Sequence, residues 1–156
     1  FLAACVNHLS EKGENPFILI HEGKNDLWLG NQVAKTAKHP INIVQQSHAL
    51  CIKGIIGASS GVISSRFHGL ISALSQGVPA LGTGWSHKYE QLFQDYDFPE
   101  GILGVEENRQ NLHEKIDLIT SDTQKQHIKE KILKAGQVQK ELALNMWNEI
   151  FRLLKQ

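Results

Sequence analysis

Cysteine is nearly absent from this chain of 156 residues, which has only Cys5 and Cys51. Each sits in apolar helical surroundings, and together they make neither a metal-ligand spacing nor a disulfide framework. Both are expected to be reduced core residues, which favours the cytoplasm. An excess of either charge is also missing, because sixteen Lys and Arg balance sixteen Asp and Glu. The overall field therefore favours neither nucleic acid nor an anionic membrane surface, and any anion site has to be built locally. No apolar run reaches the roughly 18–20 residues of a spanning helix, so no transmembrane segment is expected, and there is no signal peptide. His8, His39, His48, His113 and His127 are scattered at spacings that make no metal site. Gly82 and Gly84 do not complete a dinucleotide fingerprint, and Ser64 and Ser65 lack the Gly-x-Ser-x-Gly elbow of a serine hydrolase. Repeats and low-complexity tracts are lacking as well. So is an initiator methionine: Phe1-Leu2-Ala3-Ala4-Cys5 reads as the middle of a helix, and an upstream part is expected to be missing.

What is present is enough chain for one ordinary domain, burying about 68–70% of its unfolded surface. Leu2, Cys5, Val6 and Leu9 share one face of a helix over residues 1–12, stopped by Gly13 and Asn15-Pro16. Phe17-Ile18-Leu19-Ile20 is a continuous apolar run of the kind buried on both faces of a parallel sheet. Asn25 or Asp26 can cap a helix running to about Lys38. A strand at Ile41–Val44 and a helix from Ser47 to about Gly57 follow. The alternation continues through strands at Val62–Ser65, Ala80–Gly82 and Gly101–Val105, with helices after Arg66, over Tyr89–Tyr96 and near Asn111–Ile119. The long segment 123–156 is helical in pattern and is expected to break near Gly136, since glycine costs about 1 kcal/mol relative to alanine there. Such alternation predicts one α/β, Rossmann-like domain over residues 1–156: a parallel sheet with right-handed crossovers and helices on both faces.

The chemistry concentrates between Gly61 and Lys88. Ligands of parallel sheets collect outside the carboxyl ends of strands, where the first turn of each following helix points unpaired N–H groups at solvent. That edge favours anions. Two successive junctions here also carry cations, Arg66 and His68 at one and His87 and Lys88 at the other. A helix start repels positive charge by about 0.3–1 kcal/mol per group, which an anionic ligand bridging the junctions would offset. A purely structural alternative is open for each: Arg66 could pair with Glu22, His68 could be a satisfied helix-start histidine, and Lys88 a surface lysine. His21 and Glu22, at the end of the first strand, are secondary candidates for the same crevice.

Ser65-Arg66-Phe67-His68-Gly69, then Ala73-Leu74, Gly77-Val78-Pro79 and Lys88, twenty residues after the histidine, resembles the C-terminal half of the polysaccharide pyruvyl transferase family. The likeness runs from about Phe17 to Val105, and departs at Trp85-Ser86-His87, where a Tyr-Asp-Pro type of turn is the family pattern. It implies one half of a GT-B-like architecture, whose N-terminal, acceptor-side domain is missing here, and whose final helix would leave some apolar surface uncovered. Trp28 and Trp147 would pack in the core or against that domain.

The activity implied is transfer of a pyruvyl group from phosphoenolpyruvate to hydroxyls of a sugar acceptor, a cell-surface polysaccharide or its lipid-linked precursor. It implies His68 as acid/base and Arg66 as catalytic anion clamp. The donor would be bound by Arg66, Lys88, Ser65, Gly82, Gly84 and His87, with Trp85 near enough to stack on a sugar. No metal or other cofactor is expected beyond the donor substrate. The location implied is cytoplasmic, with peripheral attachment to the inner face of the membrane as an option, and the fragment alone would be inactive. Two rivals stand beside this reading. One is a nucleotide-sugar glycosyltransferase half using Glu106 or Glu107 on the ribose; the other is a non-catalytic binding module of the same fold.

Overall fold

The computed structural model describes residues 1–84, 86–104 and 108–155. Helix α1 (Leu2–Glu11) buries Cys5 and Val6. Gly13, with φ 82, turns the chain out of it toward strand β1 (Phe17–Ile20). A left-handed residue past a helix end is the usual place for glycine. Helix α2 (Gly23–Thr36) carries the chain to β2 (Asn42–Gln45), which pairs with β1 in parallel, Phe17 opposite Asn42 through Ile20 opposite Gln45. Helix α3 (Ala49–Ala58) leads to β3 (Val62–Ser64), and α4 (Phe67–Leu74) connects that strand to its parallel partner β4 (Ala80–Gly82). Helices α5 (His87–Asp95), α6 (Arg109–Thr120) and α7 (Asp122–Leu154) complete the described chain.

The α/β alternation and the parallel pairing are as the sequence predicts, but the strands do not join in one sheet. Among the described residues they form two two-stranded sheets, β1–β2 and β3–β4. Between the sheets is a cavity of about 650 Å³, lined by Ile18 and Ile20, Val62 and Ile63, and Cys5 and Val6 of α1. The fifth strand is reduced to a bridge between Gly82 and Ile102. Its start is taken instead by a 3-10 turn at Pro99–Gly101, where an added Cβ on Gly101 would overlap Phe93. Val105 lies outside the described residues.

Most of the core belongs to the second sheet. Leu70, Leu74, Leu81, Phe93, Phe98, Leu103, Ile116 and Ile132 are its largest fully buried side chains. They come from α4, β4, α5 and the segment after it, α6 and α7, so that long terminal helix is seated by its first half. Burying a Leu, Ile or Phe side chain contributes about 1.5–3 kcal/mol, and this concentration makes β3–β4 the rigid platform for the junctions that follow it.

Several local expectations are corrected. Neither Asn25 nor Asp26 caps α2. Gly23, with φ 64, turns the chain into the helix sooner, with Glu22 at the cap position and Asp26 in the first turn. Ser47 does not cap α3, because the Gln46 side chain accepts the N–H groups of Ser47 and His48 at 2.9 Å each and moves the cap to His48. Cys51 is exposed rather than in the core, since α3 buries only Ile56. Trp28 and Trp147 are 64% and 51% exposed, so neither is a core residue.

Helix α7 does not break at Gly136. The glycine is buried, and a Cβ there would lie 3.3 Å from the Tyr96 ring. It is a point of close approach between α7 and the end of α5. Packing of Ile128 and Ile132 on the same helix outweighs the roughly 1 kcal/mol propensity cost. Beyond Gly136, Leu142, Met146, Phe151 and Leu154 are exposed. Among the described residues no helix is long and apolar enough to cross a membrane.

Candidate functional site

Strands β3 and β4 end side by side, Ser64 opposite Gly82. Parallel strands end on a common edge, so α4 and α5 both start there. At the first junction the Ser64 hydroxyl accepts the Arg66 N–H at 3.0 Å, holding Arg66 extended (φ −89, ψ 114) at the cap of α4. No side chain caps the first turn of that helix. Gly69 keeps this turn close to the strand end, since a Cβ on it would lie a tight 3.2 Å from the Ser64 hydroxyl.

The Arg66 side chain reaches back to α2. Its Nε donates to Asp26 Oδ2 at 3.1 Å, Nη2 donates to Asp26 Oδ1, and Nη1 lies 3.1 Å from Glu22 Oε2. The structural pairing with Glu22 is therefore present, and Asp26 is the stronger partner. The Asp26 hydrogen bonds hold the guanidinium even further into its charged range, with the negative charges of Asp26 and Glu22 adding to the effect. His21, Ser64, Ser65 and Asp26 line the mouth of the inter-sheet cavity together with Arg66. His21 at the end of β1 and Ser64 at the end of β3 thus line the same cavity, and Glu22 is not among its lining residues.

At the second junction the Lys88 ammonium lies 5.0 Å from the centre of the Phe67 ring and 5.4 Å from that of Tyr89. Phe67 stands between Arg66 and His68 in sequence, and its ring meets His68 edge-on with centroids 6.3 Å apart. It meets Tyr89 in the same way at 5.4 Å. The Tyr89 hydroxyl donates to the Ser65 carbonyl at 2.7 Å, tying the first turn of α5 to the end of β3. His68, His87 and Lys88 are exposed. Among the described residues His68 has no hydrogen-bond partner. The buried Ser86 hydroxyl is also unpartnered among the described residues.

The two glycines have a packing reason. A Cβ on Gly82 would come within 2.6 Å of Phe93 and 2.9 Å of Leu70, and one on Gly84 would overlap the Tyr89 ring. The space left by each missing side chain is taken by the protein's own side chains. Trp85, Glu106 and Glu107 lie outside the described residues.

Two residues escaped the sequence reading. Asp26 looked like a helix cap, and only the observed start of α2 turns it toward Arg66. Tyr89 immediately follows Lys88, and the signal for it was the glycine at 84, which makes room for an aromatic ring. Among the described residues no three His, Cys, Asp or Glu side chains gather as metal ligands do.

No curated protein matches the chain, and no solved structure does. A family model does match, that for polysaccharide pyruvyl transferase, over residues 1–87. The match takes in both strand pairs, the Ser64–Gly69 junction and the turn to α5, and ends one residue before Lys88. It covers more than half of the 156 residues, the Arg66–His68 helix start among them: the chain belongs to the polysaccharide pyruvyl transferase family.

Proposed function

We propose that this domain binds phosphoenolpyruvate at the β3–α4 and β4–α5 junctions and takes part in moving its pyruvyl unit onto two hydroxyls of a polysaccharide sugar or its lipid-linked precursor. The observation that carries the reading is the Lys88 ammonium on the ring of Phe67, between Arg66 and His68 in the chain. Lys88 from the start of α5 and His68 from the start of α4 both meet that ring, and Arg66 precedes it in the chain with its guanidinium on Asp26 and Glu22. The backbone N–H groups of such helix starts favour an anion.

The reaction balances with protons alone. The donor methylene carbon takes one proton, and positive charge develops on the neighbouring carbon. A first sugar hydroxyl adds to that carbon, the bond from it to the phosphate oxygen breaks, and a second hydroxyl closes the ketal. The two hydroxyls lose two protons, one matching that gained by the methylene carbon and one leaving with phosphate. His68 carries a proton in this exchange, a task suited to a histidine near neutral pH. Arg66 grips the carboxylate or phosphate with the planar fork that fits either group. Lys88 holds the other anionic end, with Ser65, His87 and the backbone at Gly82 and Gly84 completing the donor pocket. The same reading carries with it a cytoplasmic setting, peripheral to the inner face of the membrane where the acceptor is lipid-linked. It also expects a further acceptor-side domain, without which turnover fails.

Isothermal titration with phosphoenolpyruvate tests this reading. Saturable binding that is lost in both Arg66→Ala and Lys88→Ala, and that uridine diphosphate does not displace, is the expected result. Tight uridine diphosphate binding without a phosphoenolpyruvate signal would move the assignment to a nucleotide-sugar glycosyltransferase. Silence toward both, in the full-length protein, would leave a non-catalytic module.

A further inference from the structure

The two carboxylates beside Arg66 are not equivalent. Asp26 accepts from both Nε and Nη2, so it holds the guanidinium at two points along one edge. Its side chain is only 20% exposed, and it is anchored in the first turn of α2. Glu22 approaches Nη1 alone at 3.1 Å, from the cap position of α2, with 48% of its side chain exposed. An arginine has five N–H donors in a fixed fork. Asp26 takes two and leaves three, including both on Nη1, where Glu22 stands.

From this we infer that Asp26 is the positioning residue of Arg66, and that Glu22 is a displaceable guard on the face the donor anion takes. The inference rests on the reading of Arg66 as an anion clamp. Two opposite effects are at stake when a carboxylate lies beside a clamp. It repels the incoming anion, and it holds the cation in place. A two-point hold on a side chain that is itself 45% exposed stops the guanidinium from swinging into solvent, so for Asp26 orientation outweighs repulsion. Glu22 makes one contact on the open face, and there repulsion outweighs orientation. Asp26 also ties β1–α2 to β3–α4 across the mouth of the inter-sheet cavity, so the aim of the clamp is referenced to both sheets.

Orientation losses of this kind cost about 10- to 100-fold in binding or turnover. The test uses the full-length protein, with phosphoenolpyruvate titrated into wild type, Arg66→Ala, Asp26→Asn, Asp26→Glu and Glu22→Gln. Asp26→Asn is expected to weaken donor binding by about tenfold or more, with the loss in KM exceeding that in kcat. Asp26→Glu should recover part of it, and Glu22→Gln should bind the donor at least as tightly as wild type. A second readout needs no ligand: the Arg66 Nε–H resonance should be sharp and slow to exchange in wild type and Glu22→Gln, and broadened in Asp26→Asn. Tighter binding by Asp26→Asn would show Asp26 to be a competing anion and overturn the inference. So would an unchanged Nε–H signal. If wild type itself binds no phosphoenolpyruvate, the functional reading fails and the inference with it. If wild type binds, Arg66→Ala does not and Asp26→Asn is unaltered, only the inference fails.

Discussion

Replacing Lys88 by methionine separates its two possible roles. The ammonium sits 5.0 Å from the Phe67 ring and 5.4 Å from the Tyr89 ring. At an exposed position a cation over an aromatic face contributes about 0.5–1 kcal/mol. A thioether in the same place keeps a sulfur–ring contact of about 0.3–1.5 kcal/mol. The stability of Lys88→Met should therefore lie within about 1 kcal/mol of wild type. Donor binding is a different matter, because a hydrogen bond to a charged group is worth about 1.5–3 kcal/mol. At about 1.4 kcal/mol per tenfold, its loss weakens phosphoenolpyruvate binding by about 10- to 150-fold. Urea unfolding gives the first number and isothermal titration the second. Binding within about twofold of wild type would refute Lys88 as a clamp. A stability loss well above the ring term would show that the lysine serves the packing of α4 on α5 instead.

Three further outcomes follow from the fold. Tyr89→Phe removes the bond to the Ser65 carbonyl and should cost about 1 kcal/mol in urea unfolding, with a larger relative loss in donor binding because α5 is no longer tied to β3; equal binding would refute that link. Ile132→Ala, at a fully buried position where α7 meets the core, should cost about 2–5 kcal/mol, and a loss below about 1 kcal/mol would mean that α7 is not seated as described. Asp117 tests the acid limb of stability. Burial alone would raise its pKa, but hydrogen bonds from Lys12 and His8 outweigh that and hold it below the ordinary carboxylate value. A lowered folded value gives stability that is complete above the unfolded pKa of about 3.9 and lost as pH falls through the folded one. Unfolding midpoints measured downward from about pH 6 should fall more steeply in wild type than in Asp117→Asn, and identical slopes would refute the assignment.

The elements most legible in the chain are those whose signals are local. Phe17–Ile20 and Ala80–Gly82 are strands where the apolar run and the Pro79 boundary predict them. The start of α4 at Phe67 also follows directly from its neighbours. What escaped depends on contacts distant in sequence. Gly136 reads as a break until Tyr96, forty residues earlier in the chain, is found against it. Gly101 reads as a strand start until Phe93 and Phe98 close over it. The separation of β1 from β3 has no local signature, since each strand pairs normally with its other neighbour. In the site, Arg66, His68 and Lys88 were marked by charge at a helix start, an electrostatic conflict visible in one dimension. Asp26 carries no such conflict, because an acid in a first turn is favourable on its own helix. Its tie to Arg66, forty residues away, becomes visible only when α2 and α4 are placed side by side.

Helix α7 runs for 33 residues, about 50 Å at 1.5 Å per residue, and only its first half is held by the core. On the free half, Trp147 stacks on Phe151 with centroids 5.9 Å apart, and half of its surface is open to water. This makes the helix an optical gauge of its own surroundings. Tryptophan emission shifts to the blue when water leaves the ring, and Trp28, 64% exposed on α2, can be silenced by Trp28→Phe to reduce the background. Any state in which the outer half of α7 becomes covered will then change the emission colour of the protein, without a label and at the concentrations used for binding.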